Sequence, residues 1–251
     1  MIKVKVYSDN QLVITCKSIS LNPIAFGTAR EFTFLGIKTI SKQVDFFKQI
    51  NDPDSSFYGA KLKISVGVHD KFKRWSTFYN AIFNVIDYGI CSNLHWDVKC
   101  FVSGEEGVEY RQGLIDTFML WSKKEDVKWN ELSANSPLKE DYIYCCFLYS
   151  GLSSGLLEKA CYKFNMALIN EEVDFLYYAG REFVGDRGYF GNSIYTFKDC
   201  LLMVFHNKII LNGRRVVFSN VDSISKGEIH TIYLEIKLIF QKFGFIVEEL
   251  F

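Results

Sequence analysis

Only 3 of the 251 residues are proline, and neither charge sign is in excess: 29 Lys and Arg stand against 29 Asp and Glu. A chain with so little proline, 49% hydrophobic and 16% aromatic, is not a disordered tract but a folded one with material for dense cores. A net charge of zero gives no bulk attraction to a polyanion, so neither nucleic acid nor an anionic membrane is implied as a partner. No run reaches the roughly 20 apolar residues that cross a bilayer. Tyr142 to Leu157 comes nearest, but it is short and contains Gly and Ser. The opening residues Met1 to Tyr7 alternate apolar and charged like a half-buried strand and lack the apolar core of a secretion signal, so a cytoplasmic protein is expected. The 7 cysteines have no CxxC spacing and the 4 histidines no HExxH spacing. Free buried thiols are therefore expected, with no metal, no cofactor and no catalytic group placed by a motif.

What the chain does have is an aromatic-glycine run, Tyr189-Phe190-Gly191, followed by Asn192-Ser193 and the segment Ile194 to Leu202. Gly191 permits a tight turn, and Asn192 or Ser193 can cap a helix that starts near 193. At 3.6 residues per turn Ile194, Phe197 and Leu201 form one stripe, with Cys200 and Leu202 beside it, as a core-facing surface requires. Tyr195 and Asp199 are spaced i, i+4 on another face. With Tyr189, Phe190 and Asn192 they would compose an aromatic patch edged by a carboxylate, a composition suited to a protein interface.

These residues resemble the loop and second helix of the barstar family of ribonuclease inhibitors, whose members carry Tyr-aromatic-Gly, a helix, and Asp-Cys-Leu at the spacing of Asp199-Cys200-Leu201. Val173 to Phe183 is similar to the family's first helix, Lys208 to Leu211 to its second strand, Glu228 to Phe243 to its last helix, and Phe245 to Leu250 to its last strand. The resemblance covers residues 163 to 251 and implies an α/β domain, a small parallel sheet with packed helices. It also implies an immunity-type function: binding a cognate protein toxin, a nuclease or other nucleotide-using enzyme, and blocking its active site. On this reading the toxin-binding residues are Tyr189, Phe190, Asn192, Tyr195 and Asp199. Tyr195 and Lys198 depart from the family pattern, which has an acid and a tryptophan at the two places. Residues 163 to 251 hold 10 Lys and Arg against 11 Asp and Glu, so the strong acidic field of such inhibitors is absent.

Residues 1 to 150 read as an α+β domain and 151 to 162 as a linker. Strands are expected at Lys3 to Tyr7, Leu12 to Ser18, Glu31 to Gly36, Leu62 to Val68 and Trp96 to Val102, and a turn at Gly104 to Gly107. Helices are expected at Ser41 to Ile50, closed by Asn51 to Asp54, at Leu114 to Lys123, and at Lys71 to Asp87, whose apolar residues include Phe72, Trp75, Phe78, Tyr79, Ile82 and Phe83. Gly151-Leu152-Ser153-Ser154-Gly155 satisfies GxSxG at Ser153 between a strand-like Tyr142 to Tyr149 and a helix-like Leu156 to Lys159, the context of a hydrolase nucleophile. Asn212 to Arg215 reads as a hairpin turn. The alternatives to a toxin inhibitor are a module regulating an endogenous enzyme and a serine hydrolase centred on Ser153. The oligomeric state is not encoded in any of these patterns.

Overall fold

The computed structural model describes residues 2–8, 11–22, 29–39, 52–54, 61–92, 95–102, 110–152, 156–206, 213–224 and 227–251. Strands and helices are mixed, and the chain divides into two compact units, Met1–Asp126 and Val127–Phe251.

The first unit is an antiparallel sheet of β1 (Ile2–Ser8), β2 (Gln11–Cys16), β3 (Ser18–Asn22), β4 (Ala29–Leu35), β5 (Lys38–Thr39), β6 (Lys61–His69), β7 (Trp75–Ser92) and β8 (His95–Val102), with helix α1 (Gln112–Ser122). The expected strands and the helix at Leu114 to Lys123 are all present. β2 and β3 are one run bent at Lys17: its first half pairs with β1 (Val4 opposite Cys16) and its second with β4 (Ser18 opposite Leu35). Since β1, β6, β7, β8 and β4 are paired in turn, this bend closes the sequence of pairings into a ring. Alternation does the rest: Val4, Val6, Phe32, Phe34, Ile64, Val66 and Phe83 are buried on one side, and Phe118 of α1 packs on Phe78 at 5.9 Å between ring centres.

The helix expected at Lys71 to Asp87 is instead the turn and long second strand of a hairpin. The Asp70 carboxylate accepts hydrogen bonds from the backbone N–H of Phe72 and of Arg74, each at 2.8 Å, and so closes the turn. Opposite Val66 and Gly67, β7 carries Tyr79 and Thr77, leaving Phe78 as an extra residue. That bulge buries Phe78 and Tyr79 in succession and breaks the period of two, so the apolar pattern imitated a helix. The Ser41–Ile50 helix and the Gly104–Gly107 turn lie outside the described residues. The Asp52–Asp54 turn is present, with the Asp54 N–H donating to Asp52 at 3.1 Å.

The second unit runs α2 (Pro137–Ser150), β9 (Cys161–Asn165), α3 (Glu172–Phe183), α4 (Ile194–His206), β10 (Arg215–Ser219), α5 (Glu228–Lys242), β11 (Ile246–Leu250). Its three strands form a small parallel sheet in the order β11-β10-β9, with Val216 opposite both Tyr162 and Val247. Each parallel neighbour is reached through helices, as parallel pairing demands. Two expectations are corrected here. Arg214 and Arg215 lead into the central strand and are not a hairpin turn, since Gly213 (φ +79°) turns the chain into β10; Lys208 to Leu211 lies outside the described residues. Tyr142 to Tyr149 is helical: Ser136 and Pro137 supply a helix start, and a short apolar run buried on most sides cannot reveal its period.

A cluster of phenylalanines lies at the centre of this unit's core. Phe164, Phe175, Phe183, Phe197, Phe218 and Phe240 are at most 1% exposed, and Phe183 lies 6.0 Å from Phe240 and 6.3 Å from Phe197 between ring centres. Beside it lies a buried ionic cluster. Lys139 of α2 is 3% exposed and donates to Asp174 of α3 at 2.8 Å and to Glu171. Asp174, 2% exposed, also accepts from the Trp129 indole at 2.7 Å and the Asn170 N–H at 3.0 Å. Burial by itself pulls the Lys139 ammonium down, but hydrogen bonds and charge from Asp174 and Glu171 prevail and hold it above the ordinary lysine value.

A raised folded value means that the Lys139 contribution to stability is complete below the ordinary value of 10.5 and is lost as pH rises through the folded one. Asp174→Ala, which strips that ammonium of its buried partner, is expected to lower stability by about 3 kcal/mol or more at neutral pH, whereas Lys139→Met with Asp174→Leu together should cost far less. Urea unfolding of the three proteins checks this, and equal losses for the single and double variants would show the cluster to be no ion pair at all.

Candidate functional site

The exposed face of α4 is one outward surface of the second unit, and its local chemistry explains how that helix is held. The Ser193 hydroxyl accepts from the Thr196 N–H at 3.2 Å while the Thr196 hydroxyl accepts from the Ser193 N–H at 2.8 Å, a reciprocal cap with Thr in the place usually taken by Glu. From α3 the Glu172 carboxylate accepts from the Ile194 N–H at 2.6 Å, placing a negative charge at the helix N-terminus. Beneath the helix Ile194, Phe197, Cys200, Leu201 and Val204 are buried. Gly191, at φ +107°, lies so close to the first turn that a Cβ would come within 2.5 Å of the Phe197 nitrogen.

On the other side of α4 Tyr195 is 76% exposed, and Lys198, Asp199, Leu202 and Met203 are exposed with it. Asn192, just before the helix, is also exposed; its side-chain oxygen lies 2.9 Å from the Thr196 hydroxyl. Three of the five expected contact residues, Asn192, Tyr195 and Asp199, therefore lie at the N-terminal half of one exposed helix. Leu202 and Met203 extend that face: Leu202, expected beside the buried stripe, is exposed instead, and Met203 lies eight residues after Tyr195, a spacing that carried the signal.

Tyr189 and Phe190 do not join them. Phe190 is fully buried, stacked on Phe183 at 4.6 Å with 15° between the ring planes and 5.5 Å from Phe197. Tyr189 is 7% exposed: its N–H donates to the Ser150 hydroxyl of α2 at 3.0 Å and its ring meets Phe147 at 5.1 Å. Burial pushes the Tyr189 phenol up to about 12. For Tyr189 the reason is α2, a helix that the sequence did not announce; for Phe190 it is the ring contacts with Phe183 of α3 and Phe197 of α4. Cys200 is a core residue as well, its thiol pushed up to about 11 by burial and then by the Asp199 charge.

The nucleophile context proposed for Ser153 is absent: the segment before it is helix α2, and Leu156 to Lys159 is irregular. Ser153 itself lies outside the described residues. Among the described residues no group of His, Cys, Asp and Glu could hold a metal ion, and Cys16, Cys145, Cys146, Cys161 and Cys200 are free thiols. No described helix is long and apolar enough to cross a membrane. A cleft of about 340 Å³ opens beside Trp129, Tyr177, Tyr178 and Arg181. Its polar groups are bound to one another, with Arg181 donating to the Tyr177 hydroxyl at 2.7 Å and the Tyr178 hydroxyl to Asn130 at 2.9 Å. It is the seam where residues 128–131 lie on α3. Comparison with protein-family models, with curated proteins and with solved structures gives no match.

The two halves of the motif should separate experimentally. Phe190→Ala empties the middle of the phenylalanine core and is expected to cost about 3–5 kcal/mol, while Tyr195→Ala should change stability by less than about 0.5 kcal/mol. Thermal or urea unfolding decides it; a destabilised Tyr195→Ala would mean that the helix face is packed rather than presented.

Proposed function

We propose that residues 163–251, within the unit Val127–Phe251, form an immunity-type inhibitor domain of barstar-like architecture, which docks the exposed face of α4 on a cognate toxin and covers its active site. The single observation that carries this reading is Tyr195, a large aromatic side chain three-quarters exposed on a helix whose first turn is fixed by its own cap and by Glu172. Leaving such a ring in water on a rigid helix is wasteful for a free-standing surface and well suited to an interface, where aromatics supply contact area at low entropic cost. Supporting it are the order of elements, two helices then a strand, a helix and a strand after β9, and a parallel sheet with β10 in the centre.

The contact differs from that of an acidic inhibitor. Lys198 and Asp199 are both exposed on this face, so it carries no net charge of its own, and the partner is engaged by Tyr195 entering a recess with Asp199 meeting one cation at its edge. Asn192 lies at the same rim. Association of this kind depends weakly on salt and is not strongly steered. The cytoplasm is the expected compartment, since an immunity protein protects the cell that makes the toxin.

In calorimetric titration against the toxin, Asp199→Ala and Tyr195→Ala are each expected to lose about 2 kcal/mol or more of binding free energy, and to lose rescue of toxin-expressing cells. If both variants remain folded and each loses less than about 1 kcal/mol, α4 is not the inhibitory face. Binding to a host enzyme with no rescue from any toxin would instead identify a regulator of an endogenous enzyme.

A further inference from the structure

The first unit carries a charge asymmetry that the neutral total conceals. Residues 2–8 and 61–75, which form β1, β6 and the turn into β7, contain seven Lys or Arg and a single acid, Asp70. Asp70 is 8% exposed and already spent, its carboxylate accepting two backbone N–H groups and pairing with Arg74 at 2.8 Å. Register places the remaining cations on one face. Ile2, Val4 and Val6 on β1 and Leu62, Ile64 and Val66 on β6 are buried, so Lys3, Lys5, Lys61 and Lys63 project from the opposite side. Lys71 and Lys73 continue the row at the exposed turn. From Lys61 to His69 the strand rises by about 26 Å at ~3.3 Å per residue.

Aromatic rings are set among these cations. Phe72, at the tip, is 57% exposed, with the Lys71 ammonium and the Arg74 guanidinium each 5.1 Å from its ring centre. The Trp75 indole lies across Gly67 of β6, where a Cβ would come within 2.6 Å of the ring, and the Lys5 ammonium sits 4.1 Å from the ring centre. Its N–H donates to Thr77 at 2.9 Å, which fixes the ring on the sheet. An open strand face bearing a row of lysines interleaved with rigid rings is the arrangement that tracks a phosphate backbone while stacking bases.

We propose that this face of β1 and β6, with the β6–β7 turn, binds single-stranded nucleic acid, lysines on the phosphates and Phe72 and Trp75 under the bases. A membrane surface is the less suited partner. Phe72 is the one large apolar side chain exposed at the turn, with two cations near its ring, and on the strand behind it Ile82, 38% exposed between Thr77 and Asn84, is a single apolar residue rather than an insertable apolar belt. The proposal stands apart from the reading of α4, because it concerns residues of the other unit.

The test is fluorescence anisotropy of a labelled single-stranded RNA of about 12 nucleotides with the full chain, read alongside the tryptophan fluorescence of the full chain and of its Trp75→Phe variant. Binding in the range of about 1–100 µM at low salt is expected, falling steeply with salt. Lys63→Glu with Lys71→Glu should flatten the salt slope by about 2, and Phe72→Ala should weaken binding about 5- to 150-fold. Circular dichroism confirms that these surface variants keep their fold. No binding at about 100 µM and low salt overturns the proposal. So does binding that is unchanged by Phe72→Ala and equalled by heparin, which would be mere ion exchange, and so does binding confined to phosphatidylserine vesicles.

Discussion

One buried ammonium group governs the arrangement of the second unit. Lys139 is enclosed with Asp174 and Glu171, and an ion that has lost its water must keep its partners or the fold loses several kilocalories. Because Lys139 belongs to α2 and both carboxylates to α3 or the residue before it, this requirement sets where α2 lies. The consequences pass along the chain. With α2 in place, Ser150 and Phe147 receive Tyr189, the loop behind it drives Phe190 into the phenylalanine core, and Gly191 delivers the chain to the first turn of α4. Trp129 joins the same carboxylate and stacks on Tyr177 at 4.1 Å, so the segment before α2 is bound to α3 by the same centre.

Seen this way, the presented helix is the end of a chain of rigid contacts. A surface meant to recognise a partner benefits from being held before the partner arrives, since the ordering cost is then met by folding and not by binding. The reciprocal Ser193–Thr196 cap, the Glu172 carboxylate and the buried stripe under α4 all serve that end. The mobile choices left are the side-chain rotamers of Tyr195, Lys198, Asp199, Leu202 and Met203, the groups that would touch another molecule.

The first unit solves a different problem. An antiparallel sheet has edges that must be hidden, and here a single bend at Lys17 lets one run of chain pair on both sides and joins the ends of the ladder. The bulge at Phe78 serves the same curvature by adding a residue to β7 alone. Outward from that ring, the alternation of β1 and β6 leaves lysines without acids beside them, a separation of charge that whole-chain composition averages away.

Much of this was written in local sequence. The strands β1, β2, β4, β6, β8 and β11 show alternation or β-rich composition, α3 and α5 show amphipathic periods with Gly244 as a stop, and the Asn192–Ser193 cap marks the start of α4; for these, neighbours a few residues apart decide the outcome. The exposed positions Tyr195 and Asp199 followed from the 3.6-residue period alone. Other features depended on partners far along the chain. Whether Tyr189 faces solvent or core was settled by α2, some 40 residues earlier, and Phe190 by Phe183 and Phe197, while α2 is itself a run whose apolar residues hide their period because they are buried on nearly every side. The stretch at Trp75 to Asp87 fits a helix by spacing and became a strand because Asp70 closes a turn and β6 and β8 offer pairing. Local propensity is worth tenths of a kilocalorie per residue, and a buried ion pair, a closed ladder or a packed aromatic core outweighs it wherever the two disagree.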